Sequence, residues 1–411
     1  MSAYTGYLIR RERLAQNLSQ EGLCKGICAA SYLSKIESGS AEPGEEIIDR
    51  LFAALGIEFV RDAKLLGEAQ QTLNRFFFLM DADEPCDAEK AFFEANRERL
   101  ARSEFALRLS VFDFVAGAQL YNREETLSRL ARIEPFMESL ALREMQWVLL
   151  VKAEYMETPQ EEWAVLERAA RLGPYSLVSY KQAKLAFQQG WYSRCVELGE
   201  RAYAQAAEEG SAATMISSAF LLGSCMCNRC DMALAKRYYD RVRALTRGHR
   251  INMDDYIAYN LGSTYLELGE DEQALSLLEA ARETKNDAAH NILLNQKLSI
   301  LYQRLGKCEK GLAHLSRAKE CFSHVQWDAA WDATRLMQQM IRFAELTFDE
   351  AAMEQPEFER VTRLLYDEAG ARFGFGFKRF YGRYLLELYK RQRRYKDALR
   401  VREEMEIHVL S

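Results

Sequence analysis

Ser31, Tyr32, Ser34 and Lys35 share a short segment with the apolar Leu33 and Ile36, in a pattern that turns the polar groups to solvent. Hydroxyls, a phenol and an amine on one exposed face can bond phosphates and base edges of DNA. With Gln20, Lys25 and Ala30 close by, they make the candidate DNA-contacting set: Gln20, Lys25, Ala30, Ser31, Tyr32, Ser34 and Lys35. Other chemistry is not expected. Cys225, Cys227 and Cys230 cluster, yet only one spacing suits a zinc knuckle and no fourth ligand is near, so packed repeat cysteines are expected and no metal. The histidines at 249, 290, 314, 324 and 408 stand apart from one another. Nothing matches a P-loop, a dinucleotide fingerprint or a nucleophile elbow, so neither an enzyme nor a cofactor is expected.

The elements that would position these residues follow from local signals. Ser19 is a good N-cap for a short helix beginning at Gln20, with Leu23 and Ile27 on one face. Gly26 and Cys28 flank a break. A second helix is expected from about Ala30 to Ser38, with Leu33 and Ile36 inward and Gly39 as the terminator. Two such helices would set the second in a major groove while the first crosses the backbone, Gln20 meeting a phosphate from a helix N-terminus. The plainer alternative is a head that only dimerises, with Lys35 merely solvated.

From Ser19 to Gly39 the chain reads SQxxLCxGICxxSYLSKIExG, which resembles the Xre-type, lambda-repressor-like helix-turn-helix. The form is similar to that of the RRNPP group of peptide-pheromone-responsive regulators. The resemblance implies that Arg13, ending the first helix, pairs with Glu37 as a structural contact. Gly22 departs from the pattern, which prefers Glu or Lys there, and a helix-interior Gly costs roughly 1 kcal/mol against Ala.

Composition suits a soluble, nearly all-helical chain of two or more domains: 411 residues, 48% hydrophobic, 28% charged and only six prolines. Nine cysteines without paired spacing, no signal-type N-terminus and no apolar run long enough to span a bilayer point to a cytoplasmic protein with free thiols and no membrane contact. Net charge is −6, and residues 1–57 carry six basic against seven acidic side chains. Binding by one head should therefore be weak, and a homodimer on half-sites about 10 base pairs apart, or a multiple, would supply the affinity.

After a helical stretch from Phe59 to Met80 and a break at Asp81 to Pro85, repetition dominates. Small and aromatic markers recur as in tetratricopeptide repeats. They are Ala183, Gly190 and Ala202, then Gly223, Met226, Ala235 and Tyr239, then Gly262, Tyr265, Gly269, Ala274, Leu278 and Ala281. Ser299, Tyr302, Gly306, Gly311, Leu315 and Ala318 follow, and a terminal unit holds Leu386, Tyr389, Ala398 and Met405. Marker spacings of 40, 39 and 37 residues exceed the usual repeat. The expected fold is all-α, a helix-turn-helix domain (1–57), a linker helix region (58–85) and an α-solenoid of tetratricopeptide-like helix pairs (86–411).

The first helix of each pair should line a concave face, which nominates Lys184, Phe187, Phe220, Ser224, Tyr256, Tyr259, Asn260, Ser263, Asn295, Gln296, Gln303 and Arg383 as peptide-binding residues. Amides pair with both groups of a peptide bond and rings offer apolar area; the family resemblance implies the same use of inner-face Asn and aromatic side chains. Residues 371–405, which include GFGF at 374–377, hold eleven basic against four acidic residues; they read as a solvated basic face, as a site where Arg383 or a neighbour captures a peptide carboxylate, or as a face that receives an acidic partner. The expectation is a dimeric transcriptional regulator that binds double-stranded DNA and is controlled by a short signalling peptide. The competing expectation is a repeat scaffold that sequesters another protein, its head serving dimerisation or autoregulation.

Overall fold

In the computed structural model, residues 2–118, 122–247, 252–285, 287–324, 332–369 and 375–410 are described. His249 and Gly374 of the GFGF segment lie outside them, as does the His408 side chain. All regular elements among the described residues are helical, and they fall into two compact units, Met1–Val178 and Ser179–Ser411.

In the first unit, α1 (Ser2–Ala15), α2 (Gln20–Cys24), α3 (Ala30–Glu37) and α4 (Glu45–Leu55) build the head. Leu8, Ile9, Leu23, Leu33, Ile36, Leu51 and Phe52 bury its core. Ser19 caps α2 by accepting from the Gly22 amide at 3.0 Å, and Gly39 leaves α3 with φ +72°. Gly6 of α1 is where α3 comes closest: a Cβ there would lie 2.0 Å from the Ile36 carbonyl oxygen.

The remaining helices of this unit are α5 (Ala63–Asp81), α6 (Asp87–Ala95), α7 (Arg97–Ala101), α8 (Ala106–Ala116), α9 (Arg123–Ile133), α10 (Leu142–Glu154) and α11 (Pro159–Leu172). The helix expected from Phe59 begins instead at Ala63, because Asp62 caps it through the Leu65 amide while Phe59 stacks flat on Phe52 at 4.6 Å. Nor is α5 a bare linker. It buries Leu65, Ala69, Leu73, Phe76 and Phe77, the Phe76 ring meeting Phe112 of α8 at 4.9 Å. The boundaries read at 57 and 85 thus fall inside one packed body, and compactness divides the chain within α12 (Ser176–Gln188).

The second unit continues with α13 (Tyr192–Glu209), α14 (Ala212–Asn228), α15 (Met232–Thr246), α16 (Asp254–Leu268), α17 (Asp271–Ala280), α18 (Ala288–Arg304), α19 (Cys308–Ser323), α20 (Asp332–Leu346), α21 (Glu350–Met353), α22 (Pro356–Leu364), α23 (Phe375–Arg391) and α24 (Tyr395–Leu410). A π-helical turn, Leu365–Ala369, follows α22. Five helix pairs share one joint. Gly190, Cys230, Gly269, Gly306 and Arg393 all take left-handed φ between +58° and +81°. The next amide in each case reaches back five residues, as from Glu270 to the Tyr265 carbonyl at 2.9 Å and from Asp231 to that of Met226 at 3.0 Å. Most sequence markers are parts of this joint or of the contact beside it. A Cβ on Gly223 would meet Tyr239 at 2.5 Å, and one on Gly262 would meet Leu278 at 2.8 Å.

Two substitutions test these contacts in opposite directions. Gly6→Ala should force α1 from α3 and lower the hydrogen-exchange protection of residues 20–37 by about 2 kcal/mol, roughly thirtyfold; unchanged protection would mean the approach is not tight. Cys230→Gly should raise the stability of the second unit by about 1 kcal/mol in denaturant unfolding, since only glycine enters this conformation without a steric cost.

Candidate DNA-reading face and repeat inner face

In the head, a buried ion pair orients α3. Arg13 Nε and Nη2 donate to the two Glu37 carboxylate oxygens at 2.6 and 2.8 Å, and Nη1 donates to the Leu18 carbonyl at 2.7 Å. The Glu37 bond leads the effects that raise the Arg13 pKa. Gln20 Nε2 adds a bond to the same carboxylate at 2.8 Å, so Gln20 braces α3 from the start of α2. Ser31, Ser34, Lys35 and Lys25 are exposed; Ala30 and Tyr32 are half-buried, the Tyr32 hydroxyl 3.4 Å from the Glu42 carbonyl. Neither lysine has an ion-pair partner among the described residues. An apolar face inward and hydroxyls with unpaired amines outward make a surface suited to phosphate and base edges.

In the second unit, α14, α16 and α18 lie side by side, and α23 packs across the first two. Asn228, Glu267 and Arg304 hold one register position on those three helices. Arg379 of α23 donates to the Asn228 carbonyl at 2.9 Å and to Glu267 at 2.8 Å, while the Gly376 amide donates to Asn228 Oδ1 at 2.5 Å. Burial pushes the Glu267 carboxyl up, opposed chiefly by Arg379 and then by Lys297 and Arg383. Lys297 is 1% exposed, its ammonium 3.1 Å from the centre of the Phe380 ring, and burial lowers its pKa to about 7.

This arrangement separates the groove candidates. Gln303 and Arg383 line a cavity of about 530 Å³ between α16, α18, α22 and α23. Tyr259 and Gln296 are buried where Tyr381 of α23 faces both, so the register that reads them as groove-lining did not see that a helix covers them. Asn295 is buried as well, donating to Glu283 at 2.8 Å and meeting the His314 ring at 2.8 Å. Asn260 bonds the Ser224 and Tyr239 hydroxyls at 3.1 and 3.0 Å, and Phe220 packs on Tyr239. Tyr256 bonds Asp287 and packs tilted against the His290 ring at 4.6 Å. Ser263 sits by the Tyr259 hydroxyl, Phe187 lies against Tyr192, and Lys184 is exposed. Sequence reasoning missed Glu267, Lys297 and Arg379, whose spacing follows no local period.

Cys227 and Cys225 are packed thiols, Cys227 with its pKa raised to about 12 by burial, and Cys230 forms the turn. The described residues contain no group of three or more His, Cys, Asp or Glu able to hold a metal ion, and no described helix is long and apolar enough to cross a membrane.

These features define a helix-turn-helix head joined to a body of tetratricopeptide-like helix pairs. Residues 9–61 match the family described as Helix-turn-helix, so the chain carries an Xre-type DNA-binding domain. In fold the chain is similar to the quorum sensor NprR from B. thuringiensis in its apo form, with a TM-score of 0.61, 11% identity, and coverage of 85% of this chain and 99% of that one. It is also similar to a Rap protein complexed with Competence and Sporulation Factor, with a TM-score of 0.59, 15% identity, and coverage of 83% and 98%. A sequence search of curated proteins finds no match.

Lys297 yields a pH test. Its pKa is near 7 folded and about 10.5 unfolded, so between those values the unfolded chain holds the extra proton and stability rises with pH. Relative to Lys297→Met, the natural protein should gain about 1 kcal/mol per pH unit between pH 7.5 and 9.5, and the Met variant should be the more stable at pH 7. Parallel pH profiles would show that Lys297 is not buried as described.

Proposed function

We propose that this protein is a homodimeric, sequence-specific transcriptional regulator whose repeat body binds a short peptide. The observation that carries the reading is the pairing of an outward-facing recognition helix, with Lys25 and Lys35 unpaired, with a body whose fold is similar to that of a quorum sensor. In this reading Ser31, Tyr32 and Ser34 meet base edges, Lys25 and Lys35 meet phosphates, and the Ala30 end of α3 points into the major groove. Gln20 serves two partners, a phosphate and Glu37. Among the repeat candidates, Gln303 and Arg383 touch the peptide directly. Lys184, Phe187, Phe220, Ser224, Tyr256, Asn260 and Ser263 extend the binding face, with Tyr259, Asn295 and Gln296 as its buried support. Peptide acts by favouring one of two arrangements of the body and thereby one spacing of the two heads.

The test uses purified full-length protein and the DNA of its own upstream region. Ser31→Ala with Tyr32→Ala should weaken specific binding at least tenfold, two hydroxyl hydrogen bonds to base edges being worth about 0.5–1.5 kcal/mol each, while thermal stability and peptide binding stay unchanged. Undiminished DNA binding by the doubly substituted protein would remove Ser31 and Tyr32 as base readers; no specific DNA binding by the natural protein, with a protein partner still held in the repeats, would replace this reading with the scaffold.

A further inference from the structure

The cavity between α16, α18, α22 and α23 has an ionic remainder. Apart from Glu267, whose carboxylate is already bonded by Arg379, its charged lining residues are Arg304, Arg383, Arg391, Glu354 and Glu387. Arg304 pairs with Asp271 at 2.8 Å, and Arg391 lies 3.9 Å from Glu387. Arg383 and Glu354 are left without a hydrogen bond or ion pair among the described residues. Around Glu267 the balance is positive, because Arg379, Lys297 and Arg383 all act on that one carboxylate. Beside the polar Gln303, Thr347 and Gln392, the rest of the wall is apolar and aromatic, with Phe358, Phe380, Tyr384 and Met353 prominent. A volume of about 530 Å³ suits one or two amino-acid residues, well short of a folded domain.

Resting on the reading of the body as a peptide receptor, we propose that this cavity is the seat of the peptide's C-terminal residue. The terminal carboxylate pairs with Arg383, the last side chain is apolar and packs on Phe358, Phe380 and Tyr384, and a Lys or Arg side chain of the same peptide pairs with Glu354. A guanidinium offers a planar two-point fit to a carboxylate that neither water nor an amide matches. The apolar wall strengthens that pair by lowering the local dielectric. A neutral peptide end would leave Arg383 unmatched.

The test is affinity selection by the full-length protein from two pools of random heptapeptides, one with free C-terminal carboxylates and one amidated, read by mass spectrometry. Free-acid peptides ending in Leu, Ile, Met or Phe and containing Lys or Arg should be enriched at least tenfold over the amidated pool. Arg383→Ala should abolish the free-acid preference and Arg383→Lys should restore part of it. Glu354→Gln should abolish only the enrichment of basic residues. Both side chains are exposed and have no hydrogen-bond or ion-pair partner among the described residues, so the variants should melt with the natural protein. Equal enrichment of acid and amide overturns the assignment while leaving the receptor reading intact. No enrichment from either pool overturns both. Octanoate binding as tightly as the selected peptides, with the same loss in Arg383→Ala, overturns the peptide in favour of a lipid-like acid.

Discussion

The buried pair between Arg13 and Glu37 is the contact on which the helix-turn-helix head depends. Two charges removed from water are costly unless both are fully matched, and truncating one partner of such a pair typically costs about 3–5 kcal/mol. Here the match is complete, with two bonds between the side chains, a third from Arg13 to the Leu18 carbonyl and a fourth from Gln20 to Glu37. The pair is directional, so it fixes the rotation of α3 about its axis as well as its position. That rotation decides that Ser31, Ser34 and Lys35 face solvent while Leu33 and Ile36 face the core. Gly6 makes the pairing sterically feasible by letting α1 approach the α3 backbone. In turn α1 is tied to the rest of its unit, Tyr7 bonding Ser110 at 2.6 Å and Tyr4 donating to the Ser139 carbonyl at 2.7 Å. The orientation of α3 is therefore a property of a whole packed body reaching to Val178.

The body obeys a different constraint. Each helix pair turns on one left-handed residue and closes on one small residue, so pairs can be stacked with little change from one to the next. Regularity ends at α23, which crosses the first helices and spends Arg379 on Asn228 and Glu267. A ligand beside Arg383 would sit one helical turn from those bonds. Its charge would compete for the same cluster, which gives peptide binding a physical route to the packing of α23.

Much of this was legible in the residues because the signals are local. A capping serine, a terminating glycine and the alternation of small and aromatic positions each act within a few residues, and α2, α3 and the joints of the repeats follow from them. The Arg13–Glu37 contact was legible through family resemblance, its partners being 24 residues apart. Cys230 was harder, since its place is that of glycine in three other joints and its type reads as a packed repeat cysteine, not as a left-handed turn. Phe59 was misread as helical because nothing in its neighbours announces its stacking on Phe52 or the cap at Asp62. The covering of Tyr259 and Gln296 by α23 was not legible at all. It joins segments more than 80 residues apart through Tyr381, and a repeat register treats every first helix as open to solvent.

The central claim is that the head reads DNA sequence as a dimer, and random-oligonucleotide selection with the full-length protein at moderate salt tests it most directly. The selection should be run alone and with the peptides recovered on the repeat body. A palindromic motif with half-sites about one helical turn apart, or a multiple of that, in either condition is the predicted result. Recovery of no enriched sequence in both conditions, from protein whose head remains folded, would contradict it.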